Sequence, residues 1–295
     1  MMINDANLGL VFKGFQTVYN ESFDGTVSHK DTLAMTVTSN TSEEEYGWFG
    51  QFPKLREWVG DRQVKALSSH GFKIRNRKFE STVSVSRDDI SDDRVGIYKP
   101  MFQEMGRTAK QHPDTLIFDL LDNGFEVDCY DGQNFFDADH PQLPDDNGNP
   151  VSVSNMQDGN GEPWYLLDLS RGVKPIVWQD REKYDFQTVT SDKDTKVFLS
   201  DEYLYGIRAR VNCGFGLWQL AFGSKAELNS ANIRAAYTAM SEFTGDKGIK
   251  LGIAPTHIVV GAGNFFKARD ILLSTTIGGS TNTDANLLQI IKSSV

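Results

Sequence analysis

Three aspartates and a histidine crowd one short stretch, Asp131, Asp137, Asp139 and His140 in "DGQNFFDADHP". Such a set could hold a divalent cation, and an aspartate beside a histidine is the usual apparatus of general-base chemistry. The spacing argues against both. Asp137, Asp139 and His140 stand just before Pro141, where an extended chain sends neighbours to opposite sides. His29, His70, His112 and His257 are scattered, so no second histidine stands at ligand spacing. The stretch reads as a structural turn. A second candidate is "THIVVGAGNFFKARDILL" (256–273), a strand running through Gly261 and Gly263 into a helix, which is the setting of a dinucleotide fingerprint. Phe266 occupies the third glycine position, and its bulk opposes the close helix–strand packing that glycine permits. "DDNGNP" (145–150) lacks the closing acidic residue of a calcium loop, and no Gly-x-Ser-x-Gly nucleophile motif occurs. No catalytic residue, cofactor site or metal site is predicted.

The whole chain is acidic, with a formal net charge of −10 over 295 residues. That balance opposes nucleic-acid binding as the main task, because phosphate neutralisation supplies most of such affinity. It does not oppose enclosing nucleic acid without gripping it. No apolar run is long enough to span a bilayer, and the N-terminus lacks a basic region ahead of an apolar core, so neither a membrane segment nor secretion is expected. Cys129 and Cys213, far apart, read as small buried hydrophobes in a reducing compartment.

Stripes and alternation outline the elements. Leu8, Val11, Phe12, Phe15 and Val18 form one helical face in residues 7–20. The polar stretch that follows, through about residue 45, reads as an arm ordered only by contacts from outside itself. In "YGWFGQFPKLREWVGDRQVKAL" (46–67), Tyr46, Trp48, Phe49, Phe52 and Trp58 are interleaved with glycines and Pro53. Aromatics this dense beside helix breakers suit a projecting loop that lands on another surface, or a loop folded onto its own core. Residues 72–90 alternate like a hairpin turning near Asn76–Arg77, with Lys73, Arg75, Arg77 and Lys78 placed to meet phosphate, an acidic neighbour or solvent. Met101, Met105, Ala109, Leu116 and Leu120 predict one long helix over 96–123, bent at Pro113 and stopped at Asn123–Gly124. Residues 140–163 read as a long surface loop. Beyond it, "WYLLDL", "KPIVWQ", "YDFQTV", "KVFLSDEYLYGIRARV" and "GFGLWQLAFG" read as strands; a helix at 227–243, the strand "THIVVG" and the helix "NFFKARDILL" complete an α+β pattern.

Several stretches together resemble one family. "YGWFGQFPKLREWVGDR", "HGFKIRNRKFESTVSVSRDDISDD", "GIYKPMFQEMGRTAKQHPDTLIFDLL", "YDGQNFFDADHP", "PWYLLDLSRGVKPIVWQ", "EYLYGIRARVNCGFGLWQLAFGSK" and "LGIAPTHIVVG" are similar, in order, to the Mu-like bacteriophage major head subunit. The resemblance implies the tailed-phage major capsid fold of the Hong Kong 97 type: an N-terminal arm (1–45), an extended loop and hairpin (46–87), and peripheral and axial domains with a spine helix (88–295). It implies no catalytic residues. It implies a head protein that assembles with itself into pentamers and hexamers of an icosahedral shell, with portal, scaffold and decoration proteins as partners. The shell would enclose double-stranded DNA without sequence-specific binding, need no membrane, be assembled in the bacterial host cytoplasm and remain in the virion capsid. The family pattern runs on to a short apolar terminal strand where this chain ends in "NLLQIIKSSV".

On that reading the five aromatics, two arginines and four glycines of residues 202–225 are interface material, with Leu217 and Leu220 assigned to the core. The subunit-interface candidates are Trp48, Phe49, Phe52, Trp58, Arg75, Arg77, Lys78, Arg208 and Arg210. Two other classes remain open: an encapsulin-like shell around a protein cargo, and an enzyme using the Gly261–Gly263 turn.

Overall fold

Leu8, Val11, Phe15 and Tyr19 lie one helical turn apart, and they are the four buried positions of the first helix, α1 (Asp5–Gly25). Asn4 starts it, accepting from the Asn7 N–H at 2.8 Å and satisfying one of the free donors of the first turn. The computed structural model describes residues 2–46, 72–142, 151–245 and 250–294. After α1 come α2 (Lys30–Leu33), β1 (Ala34–Thr38), β2 (Glu43–Glu45), β3 (Lys73–Arg75), β4 (Arg77–Ser86), α3 (Arg87–Ser91) and α4 (Lys99–Asp122). Three short strands follow, β5 (His140–Gln142), β6 (Val151–Val153) and β7 (Met156–Gln157), then β8 (Trp164–Leu167) and β9 (Ile176–Val189). The remainder is α5 (Thr195–Ser200), β10 (Glu202–Phe215), β11 (Ala221–Ser224), α6 (Ser230–Ser241), β12 (His257–Val260), α7 (Phe265–Leu273), β13 (Thr276–Ile277), β14 (Ser280–Thr281) and β15 (Gln289–Lys292).

Two sheets carry the molecule. One runs β1-β9-β10-β4, with β1 parallel to β9 and the other neighbours antiparallel. The other runs β15-β12-β8-β11-β7, where the two outer pairs are parallel and the two inner pairs antiparallel. The predicted α+β class holds. β15 pairs with β12 from Gln289 to Lys292, so Ile290 and Ile291 lie in a strand.

Helix α4 is one element of 24 residues that runs through Pro113, as the phase of its apolar residues predicts. Its buried stripe is wider than expected. Phe102, Met105, Gly106, Ala109, Pro113, Asp114, Ile117, Phe118 and Leu121 are buried, whereas Met101 is half exposed. The reason is that α1 covers one flank of α4 and β10 another. Gly106 permits the closer approach, since a Cβ there would collide with the Tyr19 carbonyl oxygen and crowd the Phe23 backbone nitrogen. Phe15 stacks on Phe102 across the same seam at 4.1 Å. Gly106→Ala is therefore expected to push α1 off its seat at a cost of about 1–3 kcal/mol. A lowered melting temperature with new proteolytic cleavage inside α1 is the readout; an unchanged melt would show that the seam is slack.

Four local expectations are corrected. The polar segment after α1 is held by its own chain: the buried Asp114 carboxylate accepts from the Ser28 hydroxyl (2.7 Å) and the His29 N–H (2.8 Å), and β1 pairs with β9. Residues 72–90 are not a hairpin. Asn76 separates β3, which pairs with β2, from β4, which pairs with β10, and its amide donates to Ser39 Oγ and the Thr41 carbonyl, both at 3.0 Å. "KVFLS" is the helix α5, because Asp194 caps it and Asp201, at φ 54°, ends it before β10 begins. Within 140–163, β5 pairs with β6 and β7 joins β11, so parts of the presumed loop are strands.

Candidate functional site

The chemistry-bearing residues are absorbed by structure. His140 is fully buried; its Nδ1 lies 2.9 Å from Asp131 Oδ2 and its Nε2 lies 3.1 Å from Asn155 Oδ1. Asp137 and Asp139 turn elsewhere: Asp137 accepts the Asp139 N–H at 3.0 Å, and Asp139 accepts from the Ser152 hydroxyl. Cys129, overlooked in the sequence reading of this cluster, donates to Asp131 Oδ1 at 3.1 Å. Burial, reinforced by that carboxylate, pushes the Cys129 thiol well above its ordinary range. Cys213 is also buried, which pushes its thiol up to about 12. Neither sulfur has the character of a nucleophile.

The Gly261–Gly263 turn already holds an anion from its own chain. Gly263 N donates to Glu162 Oε1 at 3.2 Å, Asn264 Nδ2 donates to the Glu162 carbonyl at 3.0 Å, and a Cβ on either glycine would strike the Glu162 carboxylate. β12, which leads into the turn, lies antiparallel to β8, not between the parallel neighbours of a doubly wound nucleotide fold. "DDNGNP" lies outside the described residues.

The aromatic window 202–225 belongs to the core, which corrects its assignment to an interface. Tyr203, Tyr205, Phe215, Trp218 and Phe222 are all buried, as are Leu217 and Leu220. Strand alternation explains it: odd positions of β10 from Tyr203 to Cys213 face inward, and even positions carry Arg208, Arg210 and Asn212 outward. Both arginines reach the same carboxylate, Arg208 Nη1 to Glu182 Oε2 at 2.6 Å and Arg210 Nη1 to Glu182 Oε1 at 3.1 Å. In register, Lys78 stands opposite Arg210 and Glu80 opposite Arg208, so these side chains share one face. Arg77 sits over the Phe79 ring at 5.2 Å, and Arg75 is exposed on β3. The structure thus brings Lys78, Arg208 and Arg210 together and leaves Arg75 and Arg77 apart from them. Trp48, Phe49, Phe52 and Trp58 lie outside the described residues. Tyr46 N donates to the Phe72 carbonyl at 3.0 Å, beside the pairing of β2 with β3.

A groove missed in the sequence opens between α4 and the first sheet. It encloses about 520 Å³ and is lined by Phe79, Met101, Met105, Tyr184 and Ile207, with Glu80 and Glu104 also among its lining residues. Met101, read in the sequence as part of the helix's apolar stripe, is half exposed and lines it.

At the other sheet, Asp284 ties the C-terminal segment to α6. Its Oδ1 accepts from Arg234 Nε at 2.7 Å and its Oδ2 from the Ser230 hydroxyl. Burial pushes this carboxyl up, but the Arg234 and Ser230 hydrogen bonds outweigh burial and hold it below the usual range. A carboxyl lowered in the native state adds stability above its unfolded value of about 3.9, and that stability is lost as pH falls through the native value. Arg234→Ala is expected to flatten the acid side of the stability curve below about pH 5. Melting temperatures across that range check it.

No helix among the described residues is long and apolar enough to cross a membrane. The fold has close counterparts. Over 98% of this chain and 99% of the other, it superposes with a TM-score of 0.88 on a chain of the procapsid of bacteriophage JBD30, at 42% identity. A chain of the bacteriophage JBD30 capsid matches with a TM-score of 0.76 at 32% identity, over 99% and 98% of the two chains. This is the Hong Kong 97-type fold of a phage major capsid protein. Residues 8–295 match the family described as Mu-like prophage major head subunit gpT. The chain is 43% identical over 288 residues to the major capsid protein of Escherichia phage Mu, covering 96% of this chain and 94% of that one. It is 42% identical over 256 residues to the Mu-like prophage FluMu major head subunit of Haemophilus influenzae, covering 85% and 83%. The chain belongs to the Mu-like major head subunit family, a family of structural capsid proteins, and its place is the virion capsid. This relationship favours the capsid reading over a protein-cargo shell or a nucleotide-binding enzyme.

Proposed function

We propose that this chain closes an icosahedral head as pentamers and hexamers of itself, and that it performs no catalysis and needs no cofactor. The observation that carries the reading is the match along nearly the whole chain to procapsid and capsid subunits. The absorbed chemistry supports it: the Asp–His cluster, the glycine turn and both thiols are each committed to internal contacts. The net charge of −10 suits a wall that encloses double-stranded DNA without binding its sequence. Assembly takes place in the bacterial host cytoplasm, with scaffold and portal proteins as partners. Decoration is a further partnership: a JBD30 capsid is described as decorated with minor capsid protein trimers, and we extend that relation to this chain.

Between subunits, we assign Trp48, Phe49, Phe52 and Trp58, which lie outside the described residues, to the contact, and the groove between α4 and the first sheet is the apolar surface open to a neighbour. The groove is apolar with Glu80 and Glu104 in its walls, and segment 47–71 carries Lys54, Arg56, Arg62 and Lys65 against Glu57 and Asp61. Arg75, Arg77, Lys78, Arg208 and Arg210 supply further charge to contacts between subunits. Negative-stain microscopy of the purified chain, with and without its scaffold, tests the proposal. Closed shells or rings of five and six are expected; a strict monomer across salt and concentration overturns it.

A further inference from the structure

His140 is fully buried, and both of its nitrogens face oxygen. Asn155 decides what Nε2 must do. Its Nδ2 donates to the Phe135 carbonyl at 2.8 Å, with the Trp218 and Ala221 carbonyls at 3.5 and 3.4 Å behind it, and its Oδ1 accepts the Asp137 N–H at 2.9 Å. Turning the amide over would set its oxygen against three carbonyls, so Asn155 offers an acceptor and Nε2 donates.

Asp131 decides the other nitrogen. Its Oδ1 accepts the Gln133 N–H at 3.1 Å and the Cys129 S–H at 3.1 Å, leaving Oδ2 to His140 Nδ1. Burial raises this carboxyl, but hydrogen bonds from His140 and Cys129, with the His140 charge, outweigh burial and hold it below the usual carboxylate range. With Nε2 already a donor, a bare Nδ1 lone pair would face a carboxylate oxygen at 2.9 Å, so a proton lies between them. It belongs on the imidazole because the carboxyl is the stronger acid, and Nδ1 donates as well. A histidine that donates from both nitrogens is an imidazolium. Its ring lies flat on the Trp218 indole, with centroids 4.0 Å apart and planes 11° apart, where an aromatic face attracts a cation.

We propose that His140 is a buried imidazolium, paired with Asp131 and stacked on Trp218, and that this ion pair is a latch fastening the segment after α4 to the turn before β11. The other charged or titratable groups near it are accounted for. Cys129 serves Asp131, Asp137 and Asp139 bond to backbone and Ser152, and Tyr130 exchanges hydrogen bonds with Gln219. A proton, not a metal ion, fills the cluster of Cys129, Asp131 and His140, although their donor atoms lie within 4.8 Å of one another. A closed zinc site needs four ligands; this cluster offers three donors.

The latch opens in acid. Because the Asp131 carboxyl is held below its unfolded value, its contribution stands above about pH 3.9 and is lost as pH falls through the native value. Nitrogen-15 histidine spectra of the full folded chain at neutral pH test the charge directly. Both His140 nitrogens are expected to be protonated and slow to exchange; one unprotonated nitrogen overturns the proposal, as does one equivalent of bound zinc by elemental analysis. Asp131→Asn and His140→Gln are each expected to lower the melting temperature, and the pair together by less than the sum of the two. The gap between wild type and Asp131→Asn should close on acidification; a gap independent of pH would mean that Asp131 acts by shape alone.

Discussion

Replacing Trp48 and Trp58 together by alanine abolishes shell assembly and leaves the melting temperature of the unassembled chain nearly unchanged. The expectation rests on where those residues are used. A tryptophan buried between subunits can be a hot spot whose truncation costs at least about 2 kcal/mol. Symmetry repeats that loss at every copy of the contact. Met101→Glu tests the receiving side: Met101 is half exposed and lines the groove, so a carboxylate there scarcely disturbs the subunit but puts a charge where an aromatic partner would have to bury it. Assembly assays beside thermal melts separate this from the alternative. If segment 47–71 folds onto its own core, the double variant instead loses roughly 3–5 kcal/mol of subunit stability.

Trp218→Ala is expected to do the reverse, unfolding the subunit before assembly is tested. Trp218 is 1% exposed, packs edge-on against Phe243 at 5.6 Å and carries the His140 ring on its face. Its removal opens a large void, which costs roughly 3–5 kcal/mol, and strips the buried imidazolium of its aromatic floor. For a chain of this size that corresponds to a fall on the order of ten degrees in melting temperature. A Trp218→Ala chain that melts normally but fails to assemble would return the window 202–225 to the subunit interface. The two tryptophan experiments therefore cross: one removes assembly and spares folding, the other removes folding.

Much of this molecule was legible in one dimension. Periodicity located α1 and α4, including the continuity of α4 through Pro113, because positions eleven residues apart stay in phase on a helix. Alternation located β4, and the strand-like run ending in "EYLYGIRARV" located β10. Family membership was legible because it rests on ordered stretches along most of the chain, not on a site. What the sequence could not decide was the partner of each face. The inward row of β10 is as aromatic as a protein interface, and composition cannot tell a surface buried by a neighbour from one buried by the chain's own helices. Asn76 reads as a turn until β2 and β10 are in place to pair with the strands on either side of it. His140 and Asp131 stand nine residues apart, and their partners Asn155 and Trp218 lie 15 and 78 residues beyond His140. Only tertiary folding closes such distances, and only burial turns that proximity into an ion pair, because in water either side chain would be satisfied by solvent instead.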